Sequence, residues 1–276
     1  MHVPPDALPP RPSFAAALLG GVRISVVVGL LVVGTVAVLV ASLLPVRLGE
    51  ARPAERVAQG LARAFLWATG VTLRVDHPER LVGHRGFVFF NHLSWIDPVV
   101  LVAVRPLRFL STLGVRYLPF VGWMATALGT IYVHRGRGGS REKARAALTE
   151  AVASSPTPVA VAPEGKIGLG PGVLPFRHGA FEVAADAEAD VRLVALRFEP
   201  HAHALWQDRE WLTAALWRLC ARTEPFVATV TPLAPTLDPD AGTSADLAVE
   251  AERRLDAVLV PEAAASALAT PPRPAP

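Results

Sequence analysis

Asn91-His92-Leu93-Ser94-Trp95-Ile96-Asp97-Pro98 follows directly on the apolar run Phe87-Val88-Phe89-Phe90. The run reads as a buried strand. A histidine followed five residues later by an aspartate, at the mouth of a strand, suits a base and the group that orients it. Neutral imidazole takes a proton near pH 7, as few other unperturbed side chains do. A carboxylate on one ring nitrogen fixes the tautomer and turns the other nitrogen to substrate as an acceptor. Ser94 and Pro98 suit a turn that opens a helix, with Ser94 as its N-cap. The alternative is a strand ending in a polar turn, with Asp97 only capping the next helix.

Composition narrows the setting. Of 276 residues 51% are hydrophobic, which calls for a membrane segment or a deep apolar surface. Only Lys143 and Lys166 are lysines, so arginine supplies nearly all the cations. That balance suits phosphates or an anionic membrane surface. No motif with the aromatics or spacing of a nucleic-acid binder occurs, so nucleic acid is not an expected partner. Cys220 is the one cysteine, which excludes an intrachain disulfide.

Residues 1–12 are proline-rich and are expected to be a disordered tail. Residues 24–44 carry no charge, and a run of about 20 apolar residues is long enough to cross a bilayer as a helix. The run is longer than the apolar core of a signal peptide, about 7–15 residues. A retained single transmembrane anchor is therefore expected within residues 13–46. Arg47, Arg52, Arg56 and Arg63 follow the run, against Arg11 and Arg23 before it, which places the main domain on the cytoplasmic side. Residues 47–70 hold a helix with Val57, Leu61, Ala64, Phe65 and Ala68 in a stripe. That stripe fits either a membrane surface or the domain itself.

Residues 71–261 form the expected catalytic domain, and residues 262–276 an Ala/Pro tail. Strands are expected at 71–75, 86–90, 108–112, 130–133, 159–162, 192–198 and 226–231. Helices are expected at 97–104, from Pro119 to about 128, at 141–154, 181–185 and 245–260, with an amphipathic stretch at 205–221. Their alternation predicts an α/β fold, a mixed sheet flanked by helices.

Three further clusters follow strands, where α/β proteins place ligands. Tyr132-Val133-His134-Arg135 runs into a basic, glycine-rich loop, where an arginine fork suits phosphate oxygens. In Pro163-Glu164-Gly165-Lys166, Glu164 can bond an acceptor's hydroxyls or pair with Arg135, and Lys166 can neutralise a phosphate. In Leu174-Pro175-Phe176-Arg177-His178-Gly179, the glycine is expected to let a helix pack closely, a structural role.

These blocks together resemble the glycerolipid acyltransferase family, of the 1-acylglycerol-3-phosphate acyltransferase type, over about residues 70–235. Asn91 to Asp97 matches the family's NHxxxxD motif, and Gly129-Thr130-Ile131-Tyr132-Val133-His134-Arg135 resembles its second motif. Val161-Ala162-Pro163-Glu164-Gly165 resembles the third, usually FPEGTR, and Leu193-Val194-Ala195-Leu196 occupies the place of the fourth. Ala162, Lys166 and Ile167 stand where the third motif usually has phenylalanine, threonine and arginine, and Ala195 where the fourth has proline. The basic residue common before Pro119 has only Arg116 nearby.

The resemblance implies transfer of a fatty acyl group from acyl-CoA or acyl-carrier protein to a lysophospholipid hydroxyl. The acceptor it implies is 1-acylglycerol 3-phosphate, giving phosphatidate. His92 and Asp97 would be catalytic, and Arg135, Glu164, Gly165 and Lys166 would bind substrate. No cofactor or metal is expected; membrane lipids and the acyl donor are the expected partners. Ile167 keeps another lysolipid, such as a lyso-aminolipid, as an alternative acceptor. A non-catalytic, membrane-tethered lipid-binding protein is the rival of another class. A metal hydrolase is disfavoured by scattered histidines.

Overall fold

A computed structural model describes residues 12–133, 140–168, 170, 172–204, 206 and 210–260. Residues 1–11 and 262–276 of the expected tails, residue 261 at the end of the expected domain, and residues 205 and 207–209 of the amphipathic stretch lie outside the described residues. So does the basic loop 134–139, with His134 and Arg135.

Among the described residues, seven strands make one sheet. They are β1 (Val71–Val75), β2 (Phe87–Phe90), β3 (Arg108–Thr112), β4 (Ile131–Val133), β5 (Val159–Val161), β6 (Val191–Glu199) and β7 (Phe226–Pro232). The order across the sheet is β1-β7-β6-β2-β5-β3-β4. Every neighbouring pair is parallel except β6 with β7, so the sheet is mixed.

The helices are α1 (Phe14–Ser42), α2 (Pro53–Ala68), α3 (Asp97–Val104), α4 (Leu113–Arg116) and α5 (Val121–Ala127). They continue with α6 (Ser140–Ser154), α7 (Gly179–Asp186), α8 (His201–Ala204), α9 (Leu212–Cys220) and α10 (Ser244–Leu259). The short α4 has no counterpart in the sequence expectations, because four residues show no helical period.

Strand β2 explains why the sheet is covered on both faces. Successive side chains point to opposite faces. Phe87 and Phe89 enter a core with Leu148 of α6, Phe181 of α7 and Leu255 of α10. Val88 and Phe90 enter a second core with Phe65 of α2 and Val100 and Leu101 of α3. Both sets are apolar, as a central parallel strand requires. The strand's carboxyl end is tied sideways as well. Asn91 Nδ2 donates to Leu196 O at 2.9 Å, and Leu196 N donates to Asn91 Oδ1 at 2.7 Å. Asn91 is fully buried, so the motif's first residue is a splice between β2 and β6.

Helix α1 begins ten residues before the charge-free run, at Phe14, with Ser13 Oγ accepting from Ala16 N at 3.3 Å. The helix thus lies inside the expected span 13–46 and takes in Arg23. Its guanidinium turns inward and donates to Cys220 O and Arg222 O, at 3.1 and 2.7 Å. At 29 residues α1 is the one described helix long and apolar enough to cross a membrane. It packs along α2, α5 and α9. Gly20, Val27, Gly34, Val38 and Ala41 form the inner stripe. Leu18, Val22, Val33, Val36 and Val40 face outward and are exposed. At Gly20 a Cβ would come within 3.0 Å of Ala221 Cα, so the glycine permits the contact with α9's end. Helix α2 packs between α1 and α3, burying Ala58, Ala62, Phe65 and Leu66.

Candidate active site

The carboxyl ends of the adjacent parallel strands β2 and β5 carry the site. His92 leaves the end of β2, and α3 starts at Asp97. His92 Nδ1 lies 2.7 Å from Asp97 Oδ2. The same oxygen accepts Leu93 N at 2.8 Å and Ser94 N at 3.0 Å. An oxygen that already accepts two backbone N–H groups is not the protonated one, so Nδ1 is the donor in this pair. The imidazole hydrogen therefore sits on Nδ1, and Nε2 is left as an acceptor. Nε2 has no hydrogen-bond partner among the described residues. The His92 side chain is 25% exposed, while that of Asp97 is sealed. Burial raises the Asp97 carboxyl above the ordinary range, and the bonds from His92, Ser94 and Leu93 oppose that rise. Those three donors favour the ionised form.

Ser94 is not the N-cap of α3. Ile96 holds that position, and no side chain caps the helix. Ser94 instead lies in a turn whose carbonyl accepts Asp97 N at 3.3 Å. The short turn needs its own N–H groups satisfied, and the Asp97 carboxylate does that, leaving Ser94 a turn residue.

The turn after β5 brings up Glu164, Gly165 and Lys166. Glu164 is 3% exposed. Its Oε1 accepts His92 N at 2.8 Å and its Oε2 accepts Leu174 N at 3.2 Å. Both oxygens are thus committed to backbone groups, and Glu164 clamps the His92 loop from below instead of lying open to an acceptor. Gly168 N completes the clamp by donating to His92 O at 2.7 Å. Burial pushes the Glu164 carboxyl up to about 7, against the pull of the His92 and Leu174 N–H groups. Gly165 has φ +68°, a conformation glycine adopts freely. Lys166 is exposed.

Other expected residues fall elsewhere. Arg135 lies outside the described residues. Arg116 sits with its guanidinium carbon 5.9 Å from the centre of the Tyr132 ring. A Cβ on Gly179 would meet nothing within 4 Å, so this glycine is not needed for close helix packing. Phe176 is the packing residue of that segment, stacked on Phe181 with ring centres 6.2 Å apart. The Glu164 clamp was not legible in the sequence, since it joins residues 72 positions apart.

Comparison with known proteins agrees with this architecture. Residues 72–199 match the family model described as Acyltransferase. The 1-acyl-sn-glycerol-3-phosphate acyltransferase of Neisseria meningitidis serogroup B is 32% identical over 138 residues, covering 50% of this chain and 54% of that protein. The lyso-ornithine lipid O-acyltransferase of Rhodobacter capsulatus is 33% identical over 152 residues, 51% of this chain and 54% of that protein. A Pseudomonas aeruginosa protein of the same name is 49% identical over 51 residues, 18% of this chain and 20% of that protein. The chain spans about half the length of the curated relatives it first matches. The crystal structure of the 1-acyl-sn-glycerophosphate (LPA) acyltransferase PlsC from Thermotoga maritima shares the fold. Its TM-score is 0.64 at 17% identity, covering 93% of this chain and 97% of that one.

Proposed function

We propose that this chain, whose residues 72–199 match the acyltransferase family model, moves a fatty acyl group from a thioester to the free hydroxyl of a lysolipid at a membrane. The observation that carries the reading is the His92–Asp97 pair with Nε2 unengaged among the described residues. In the proposed step Nε2 removes the hydroxyl proton while the oxygen attacks the thioester carbonyl carbon. The new C–O bond forms, the C–S bond breaks, and the departing thiolate takes the proton from the imidazolium. The water-free product is an ester plus a thiol, so no protein nucleophile, metal or cofactor enters the balance. Asp97 supports the imidazolium charge. A positioned base contributes about 10²–10⁴-fold, and holding the two substrates together supplies much of the rest.

The acceptor we favour is 1-acylglycerol 3-phosphate, giving phosphatidate, with acyl-CoA or acyl-carrier protein as donor. A lyso-ornithine lipid is the second reading. It is favoured by Ile167 in place of the third motif's arginine and by relatives of that activity. Arg135, Gly165 and Lys166 are proposed to serve the acceptor's head group, and Glu164 to hold His92.

Helix α1 is proposed as the membrane anchor. Its outward valines and leucines are left exposed by the described residues, and lipid is the solvent that suits them. The arginines after α1 support a catalytic domain on the cytoplasmic side. The deciding experiment pairs a panel of lysolipids with acyl-CoA and acyl-carrier protein in membranes, and identifies products by mass spectrometry. An acylated lysolipid is the expected product; none from any pair would overturn the reading.

A further inference from the structure

The third motif lacks its usual arginine, yet a guanidinium stands against the same turn. Arg177 is ten residues further along the chain than Ile167. Its backbone N donates to Pro163 O at 3.0 Å, which fixes its base beside the turn that follows β5. Its side chain then lies across Gly165. A Cβ on Gly165 would stand 2.6 Å from Arg177 Nε and 3.0 Å from Cζ. The missing side chain at Gly165 is therefore the space the guanidinium occupies. Arg177 is exposed, and its guanidinium has no hydrogen bond or ion pair among the described residues. Glu164, the residue before Gly165, already accepts His92 N and Leu174 N, and Glu182 and Asp186 on α7 pair with Arg145. Lys166 adds a second exposed cation one residue after Gly165.

We propose that Arg177, seated over Gly165 and assisted by Lys166, binds the anionic head group of the acceptor in place of the arginine absent at position 167. The inference rests on the acyltransferase reading and deepens it. A planar guanidinium offers two parallel N–H donors, which fit either a phosphate or a carboxylate. The shared ligand chemistry is an anionic oxygen pair on a lysolipid. Its position suits the reaction, because Gly165 directly follows the residue whose carboxylate holds the His92 N–H.

Binding is measured on the full chain in detergent with His92→Ala, which prevents turnover and keeps the backbone N–H that Glu164 holds. The probes are 1-acylglycerol 3-phosphate, a lyso-ornithine lipid and neutral monoacylglycerol. Adding Arg177→Ala is expected to weaken the anionic acceptor about ten- to a hundredfold. Monoacylglycerol should weaken less than about twofold, because it presents no charge for the fork. Arg177→Lys should recover only part of the loss. Gly165→Ala should weaken the same anionic probe, since the new methyl takes the guanidinium's place. Loss with the phosphate probe alone, or with the ornithine probe alone, supports the site and identifies its anion. Equal weakening of all three probes, or no weakening, would overturn the assignment. If the Arg177-containing protein bound no lysolipid, the acceptor reading itself would fall, and this inference with it.

Discussion

His92 Nδ1 and Asp97 Oδ2 lie 2.7 Å apart, and that oxygen also accepts two backbone N–H groups of the turn between them. The carboxylate thus shapes the turn and orients the ring at once. Replacing Asp97 by asparagine puts an amide where three donors converge. Its oxygen can still accept, but the negative charge that steadies an imidazolium is gone. We expect kcat to fall about a hundredfold or more, with the acceptor KM changed far less. A larger effect on KM than on kcat would assign Asp97 to acceptor binding.

Glu164 gives a pH-dependent test. Burial holds its carboxyl near 7 in the folded protein, above the 4.5 of an ordinary glutamate. Between those values the folded state keeps a proton that the unfolded state has released. Stability from this group is therefore present below pH 4.5 and is lost as pH rises through about 7. Compared with Glu164→Gln, which does not titrate, the wild-type protein should lose melting temperature from pH 5 to pH 8. A difference that stays flat over that range would contradict the buried setting. The same variant tests the clamp. Glutamine can accept only one of the two N–H groups through its oxygen, so kcat should drop with little change in acceptor KM.

The splice at Asn91 should matter to folding more than to chemistry. Asn91→Ala leaves the buried N–H and C=O of Leu196 without their side-chain partners. The expected cost is about 3 kcal/mol, read as a lower denaturation midpoint in detergent. Stability within experimental error of wild type would mean that the two strands need no such tie.

The outward face of α1 can be tested apart from the site. Val33 is 70% exposed and is not part of the buried stripe of α1. Val33→Asp should weaken liposome association strongly, since an aspartate at the centre of an apolar span costs about 3 kcal/mol. The detergent-solubilised fold should be unaffected. Undiminished flotation with liposomes would remove this face from the membrane contact.

Much of this fold is readable in the chain because local pattern and burial agree. Phe87 to Phe90 is apolar at every position, as a strand covered on both faces requires. The stretch Asp97–Val104 carries Pro98 at its second helical position, and Arg108–Thr112 is a short run bounded by Pro106 and a glycine. The pairing of His92 with Asp97 is readable too, because a turn at a helix start is the geometry that joins residues five apart. What escaped depends on contacts between distant segments. Arg23 lies inside the expected anchor, but that its guanidinium donates to Cys220 O and Arg222 O, about 200 residues on, is not written in the local pattern. Glu164 reads as a substrate-binding acid of a Pro-Glu-Gly turn until β5 is placed beside β2 and its carboxylate is found on the His92 N–H. Arg177 looks like part of a packing segment until the empty space at Gly165 is measured.

The most direct test of the central claim is product formation by purified His92→Ala with a lysolipid acceptor and an acyl thioester, followed by mass spectrometry. The imidazole is asked to take the acceptor's proton, and nothing else described near the ends of β2 and β5 is placed to do so. The variant should remain folded and membrane-bound, and its acylated product should fall to the level seen without protein. Wild-type turnover from a folded His92→Ala protein would contradict the account.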